Sequence, residues 1–447
     1  MPPLDLDFVR QQFPAFAEPS LAGWAFFENA GGSYACRQVI DRLTNYYTQT
    51  KVQPYGFYPA SREAGEAMDA SYQRLARYLN VAPDEVHFGP STSQNTYVLA
   101  QAFAESWQAG DEVIVTDQDH EANSGAWRKL AQHGIVVKQW SIDPATGQLA
   151  LRDLEPLLSD RTKLVAFPHC SNLIGQFNPV RQIVDRVHAV GGLAVVDGVA
   201  AAPHGFPDVT ALGADVYLFS LYKTFGPHQG LMVVRRHLLE QLPNQGHFFN
   251  AGSLRKKLVP AGPDHAQIAA AAGVADYFDA LAAHHFPEPQ DFPEPQDFPD
   301  PQDFPEPPDF PEPQNFPGPP AGEAGPPAEA TRSARVRQLL QSSEQVCLEP
   351  LLAWLAGRQD LRILGSRTTE DRAPTVAVEL RGPSLSAVLG KLEEQRIMAG
   401  GGHFYAVRPL RAMGIPATPG VLRLSFLHYT TPAEITQLCT ALERALG

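Results

Sequence analysis

A lysine stands just beyond a short apolar run in FSLYKTFGPHQG (219–230), flanked by Ser220 and a Gly226-Pro227 turn. Partial desolvation at such a place favours the neutral amine of Lys223, a nucleophile toward aldehydes. About 26 residues earlier, Asp197 closes the apolar run LAVVDG (193–198). A buried carboxylate there needs a cationic or hydrogen-bond-donating partner, and a protonated ring nitrogen is one. Further upstream, FGPSTSQNTYVLAQAF (88–103) reads as a turn and then a helix, with Ser91 or Thr92 as N-cap. Exposed amides and the positive helix end make that start a cradle for phosphate. Each feature has a plain structural alternative: a solvated loop lysine, an aspartate capping a turn, a serine capping a helix. Together, and in this order, an anion cradle, an acid and an amine are what pyridoxal phosphate (PLP) requires for its phosphate, its ring nitrogen and its aldehyde.

The elements that must position these groups are short β-rich runs alternating with helical stretches: EVIVTD (112–117), KLVAFPH (163–169), LAVVDG (193–198), DVYLFS (215–220) and GLMVV (230–234). That alternation predicts βαβ units and a largely parallel, doubly covered sheet, with ligands gathered where strands end and helices begin. His169 to Asn172, Asp197 and Ser220 to Lys223 would then converge. Residues 286–320 differ: FPEPQD, FPEPQD, FPDPQD, FPEPPD and FPEPQN follow one another. Proline at this density favours polyproline II and excludes a helix or central strand. The repeat reads as a solvated spacer, with a partner-docking arm or a surface strap as alternatives, because its phenylalanines would line one side of a three-fold helix. The expected organisation is an N-terminal segment (1–25) packing on the small domain, a cofactor-binding large domain (26–285), the Pro-rich linker (286–330) and a smaller α+β domain (331–447). In the last helix, Thr431, Pro432 and Glu434 form a capping box and N1 proline, followed by an apolar face of Ile435, Leu438, Leu442 and Leu446.

With 447 residues and 44% hydrophobic content, the chain can bury a large core. A formal charge of −14 argues against a phosphate-backbone partner, so no nucleic acid is expected. No basic-then-apolar leader and no bilayer-length apolar run are present, which predicts no membrane association and a cytoplasmic place. The four cysteines, Cys36, Cys170, Cys347 and Cys439, are scattered, so neither a metal site nor a disulfide scaffold is expected.

The chain resembles the class V aminotransferase superfamily, and most closely its cysteine-desulfurase-like branch. The resemblance runs through FFENAGGSYACRQVIDRL (26–43), FGPSTSQNT, DQDHEANSGAW (117–127), HCSNLIGQFNPV (169–180), VVDGVAAAPH, FSLYKTFGPH, GGHFYAVRPL (401–410) and LRLSFLHYTTPAEI (422–435). It implies the fold type I, aspartate-aminotransferase-like architecture and a homodimer with sites near the subunit interface. Carried over residue by residue, it makes Lys223 the Schiff-base lysine, Asp197 the partner of the pyridine nitrogen and His120 the ring-stacking histidine. Thr92, Ser93 and Ser220 become phosphate contacts, and Tyr222 falls where related desulfurases have a phosphate-binding histidine. Asn29, Asn172 and Arg423 become substrate-binding residues, Arg423 because its fork suits a carboxylate.

Three positions depart from the desulfurase pattern. The loop position that carries a persulfide-forming cysteine is Tyr405 here; the second arginine before that loop is replaced by AGGG (399–402), leaving Arg62 as a candidate substitute. The Gln or His that faces the cofactor's phenolic oxygen is Ala200. Cys170 reads as a small packed residue. The expected activity is therefore cleavage of a Cβ–S or Cβ–Se bond in a small amino acid by elimination, without a protein thiol. Transamination is the nearest enzymatic alternative, and a PLP-binding regulatory protein with little turnover is the alternative of another class.

Overall fold

The computed structural model describes residues 2–287 and 328–447. Its large sheet has seven strands: β1 (Val86–Gly89), β2 (Glu112–Thr116), β3 (Val136–Trp140), β4 (Thr162–Pro168), β5 (Leu193–Asp197), β6 (Val216–Ser220) and β7 (Gly230–Val234). They lie in the order β1-β7-β6-β5-β4-β2-β3. Strand β7 runs antiparallel to both neighbours and the other pairings are parallel. The five β-rich runs of the sequence are β2, β4, β5, β6 and β7. Strands β1 and β3 were not legible: β1 is only four residues long, and β3 is an edge strand whose Val136 is exposed.

Side chains alternate between two cores, as a pleated sheet covered on both faces demands. Ala194, Val196, Tyr217 and Phe219 point into one core, shared with the helices Arg37–Gln49, Pro59–Leu79 and His265–His285. Val195, Val216, Leu218 and Met232 point into the other, covered by Thr92–Ser106 and Glu121–Arg128. With both faces occupied, the strand ends are where a ligand can reach the sheet. Pro168 pairs with Asp197 across β4 and β5, and Ser220 pairs with Gly230 across β6 and β7, so these ends lie side by side.

A four-stranded antiparallel sheet (Leu361–Ile363, Thr375–Leu380, Gly400–Gly402, Val421–Ser425) builds the smaller unit, backed by the helices Leu385–Glu394 and Pro432–Leu446. The capping box forms as read: Thr431 and Glu434 hydrogen-bond each other's backbone amide. Ile435, Leu438 and Leu442 are buried, while Leu446 is only partly so and Ala441 and Ala445 complete the face. The helix Ala328–Ala356 ties the units together, with Val336 and Leu340 in the large core and Leu348, Leu351 and Leu355 in the small one. The N-terminal segment also touches both: Phe13 packs edge-on to Phe225 and Tyr277, and Arg10 pairs with Glu434. Nearly all of the Pro-rich repeat lies outside the described residues. Among those described, no helix is long and apolar enough to cross a membrane, and no cluster of metal-ligating side chains occurs.

Candidate active site

A cavity opens at the carboxyl ends of β4, β5 and β6. Its lining includes Thr92, Ser93, His120, Cys170, Asn172, Asp197, Ala200, Ser220, Tyr222 and Lys223, so the structure brings together most of the residues singled out in the sequence. At one end, Ser91 caps the helix Thr92–Ser106 by accepting from the Gln94 amide, and Thr92 Oγ1 meets Ser220 Oγ at 2.7 Å. The start of β7 presses against this turn so closely that a Cβ on Gly230 would lie 2.3 Å from the Ser91 carbonyl carbon. A larger residue would push the helix start out of place. Hydroxyls and free amides at a helix N-terminus fit a phosphate group.

Asp197 ends β5 with its Oδ1 accepting from the Val199 amide at 2.9 Å. Burial raises its pKa to about 6, against the lowering effects of that amide and of Lys223. Lys223, in the 3₁₀ turn that follows β6, is held down to about 8, by burial first and by the Arg423 charge second. Its amine is therefore neutral to a far larger extent in mildly basic solution than that of an ordinary lysine. His120 caps the helix Glu121–Arg128, its Nδ1 accepting from the Ala122 amide at 3.0 Å, and burial drives its pKa to about 3. The imidazole is thus neutral and fixed in plane, as a stacking wall requires. An acid, a depressed amine, a flat neutral ring and an anion cradle match the donor set that PLP needs, and the residues present fit that group.

Two expectations take a different form. Asn29 is not among the lining residues: its Nδ2 donates to the Phe26 and Ser425 carbonyls and its Oδ1 accepts from the Tyr429 hydroxyl, so its amide is engaged with neighbouring structure. Arg62 donates to the Phe57 carbonyl and does not line the cavity. Arg423 is buried beside the lining, with Nη1 donating to the Asn172 carbonyl at 3.1 Å. The loop of Tyr405 is fastened over the cavity: Glu121 N donates to the Tyr405 carbonyl, Asn172 Nδ2 donates to the Phe404 carbonyl at 3.0 Å, and Arg408 pairs with Glu121. Phe404 and Tyr405 both hold positive φ, of 49° and 57°, which brings the Tyr405 ring to 5.2 Å from His120.

Sequence reasoning missed two residues. His228 lines the cavity and stacks on Tyr222 with ring centroids 4.7 Å apart. Its only sequence signal is its place directly after Gly226-Pro227. Glu28, inside FFENAGG, pairs with Arg423 at 2.7 Å. No periodicity or spacing announces a contact across 395 residues.

A family model described as Aminotransferase class-V matches residues 25–259 and 333–438. The chain is 32% identical to the aminotransferase-like protein FGM3 of Gibberella zeae over 99% of its own length and 98% of that protein's. It is 28% identical to the cysteine desulfurase-like protein ustD of Aspergillus flavus, over 98% and 90% of the two chains. Among solved structures, the cysteine desulfurase CsdA of Escherichia coli superposes with a TM-score of 0.78 at 21% identity, covering 99% of this chain and 98% of that one. The apo cysteine desulfurase of Thermococcus onnurineus NA1 superposes at 0.80 and 19% identity, over 100% and 99%. At those identities the superpositions establish the fold.

Proposed function

The chain belongs to the class V aminotransferase family, as a PLP-dependent enzyme of its cysteine-desulfurase-like branch, and from that premise we propose that it is a lyase. It cleaves the Cβ–S or Cβ–Se bond of a small amino acid by β-elimination, with no protein thiol in the reaction. The observation that carries this reading is the state of the thiols. Cys170, the only cysteine lining the cavity, is buried, donates to the Gly175 carbonyl at 3.3 Å, and has its pKa pushed up by burial, so it is neither exposed nor a thiolate. The other three are buried or partly buried elsewhere, and the loop over the cavity presents Tyr405.

When bound, PLP supplies an electron sink for the charge left on the substrate's α-carbon. Lys223 would hold the aldehyde and, once released from it, would take the α-proton, a task its depressed pKa suits. Asp197 keeps one oxygen on the Val199 amide, and its other oxygen would be the partner of the ring nitrogen. His120 would wall one face of the ring, and Thr92, Ser93 and Ser220 would hold the phosphate. Tyr222 and His228 stand together on the rim of the same cavity. Arg423, with Asn172 beside it, would hold the substrate's carboxylate, and once the β-thiolate or selenolate has left, water hydrolyses the released enamine to pyruvate and ammonia. A homodimer belongs to this reading, supported by the exposed rings of Tyr55, Phe57 and Tyr58 on one segment.

The test is product analysis with the purified, cofactor-loaded protein and cysteine or selenocysteine. Pyruvate, ammonia and sulfide or selenide in equal amounts, with no added thiol, support elimination. A keto acid that retains sulfur, with the cofactor left in its amine form, would replace this reading with transamination. No product from any amino acid would favour a binding protein.

A further inference from the structure

Arg423, the expected grip for the substrate carboxylate, already holds a carboxylate. Its Nη2 donates to Glu28 Oε1 at 2.7 Å and its guanidinium lies 3.8 Å over the Phe404 ring. Within this linked group, Glu28 Oε2, Asn172 Oδ1 and Arg423 Nε are buried without a hydrogen-bond partner. Buried polar atoms are nearly always paired, so three orphans on three connected residues mark the place of a ligand group. Two of them are acceptors and one is a cationic donor. Asn172 lines the cavity that holds Lys223, and Arg423 and Glu28 stand directly behind it, joined to its carbonyl through Arg423 Nη1. Glu28 fits there because Gly400, opposite Arg423 in the small sheet, has no side chain: a Cβ would fall 2.0 Å from Oε2.

Building on the catalytic reading above, we propose that Glu28 selects the substrate's side chain. Arg423 Nε takes the α-carboxylate, while Glu28 Oε2 and Asn172 Oδ1 receive a hydrogen-bond donor on the side chain. Amino acids with a neutral or cationic donor, such as an amide, hydroxyl or ammonium, are accepted; a thiol or selenol is a weak donor of the same kind. A second carboxylate is rejected, because it brings only acceptors and a like charge to a site already holding both.

Asparagine and aspartate, nearly equal in shape, separate these cases. Their affinities are read from the absorbance of the cofactor band during titration of the loaded wild-type, Glu28→Gln and Glu28→Asp proteins. Wild type should prefer asparagine by about tenfold or more, the scale of one lost charge-assisted hydrogen bond plus like-charge repulsion. Glu28→Gln, which keeps an oxygen for Arg423 but removes the charge, should bind aspartate more tightly and asparagine more weakly, bringing the ratio near one. Glu28→Asp should still exclude aspartate. Equal affinities in wild type, or a preference unchanged in Glu28→Gln, would overturn the proposal. A cofactor band unmoved by every amino acid would instead bring down the catalytic reading on which it rests.

Discussion

In the cofactor-free protein, the buried Asp197 carboxylate should cost stability near neutral pH. Burial raises its carboxyl from 3.8 to about 6, only partly opposed by the Val199 amide and the Lys223 charge. The folded state thus binds this proton more tightly than the unfolded one. The stability that the group contributes is present below about pH 4 and is lost as pH rises through about 6. A separation of about two pH units corresponds to about 3 kcal/mol, on the scale of 1.36 kcal/mol per unit. Asp119 adds to the effect: its buried carboxyl is raised well above the usual range, by burial first and by the Asp197 charge second. Cofactor-free Asp197→Asn should therefore be more stable than wild type near pH 7.5, by up to about 3 kcal/mol, with the gain shrinking toward pH 4. Loading with PLP should reverse the order, since the ring nitrogen then pairs with the carboxylate. Urea unfolding of both proteins, cofactor-free and loaded, followed by tryptophan fluorescence across that pH range, measures this. Equal stability of the cofactor-free proteins near pH 7.5, or a difference that does not change with pH, would refute the reasoning.

His228 shares the cavity wall with Thr92, Ser93 and Tyr222, where its ring could donate to the phosphate; His228→Ala should then weaken PLP binding by about tenfold, the scale of one hydrogen bond to a charged group, which fluorescence titration reads, and unchanged affinity would confine His228 to stacking on Tyr222. Cys170→Ser should leave turnover within about twofold of wild type, because the thiol is buried and bonded to Gly175; loss of activity with cofactor still bound would assign that thiol a chemical role.

The sequence revealed most where a strand end coincides with a polar residue. Asp197 and Ser220 each close a continuous apolar run, so both the strand and the residue at its mouth were visible at once. Strand β3 failed that test because an edge strand carries Lys138 and Gln139 among its valines. The antiparallel direction of β7 left no trace either, since apolar content is the same in both directions. At the site, Lys223, His120 and Thr92 could be placed because the resemblance rests on contiguous motifs. Glu28 and His228 could not, because their roles arise from contacts that form only on folding. Asn29 shows the converse: it sits in a matched motif, yet its donors and acceptor are all taken by neighbouring structure.

Covalent attachment of the cofactor tests the central claim most directly. Borohydride reduction of the PLP-loaded protein, followed by peptide mass spectrometry, should find the phosphopyridoxyl group on Lys223, and Lys223→Ala should lose both the label and the visible absorbance band while remaining folded. A label on another lysine, or an unchanged band in the variant, would contradict it.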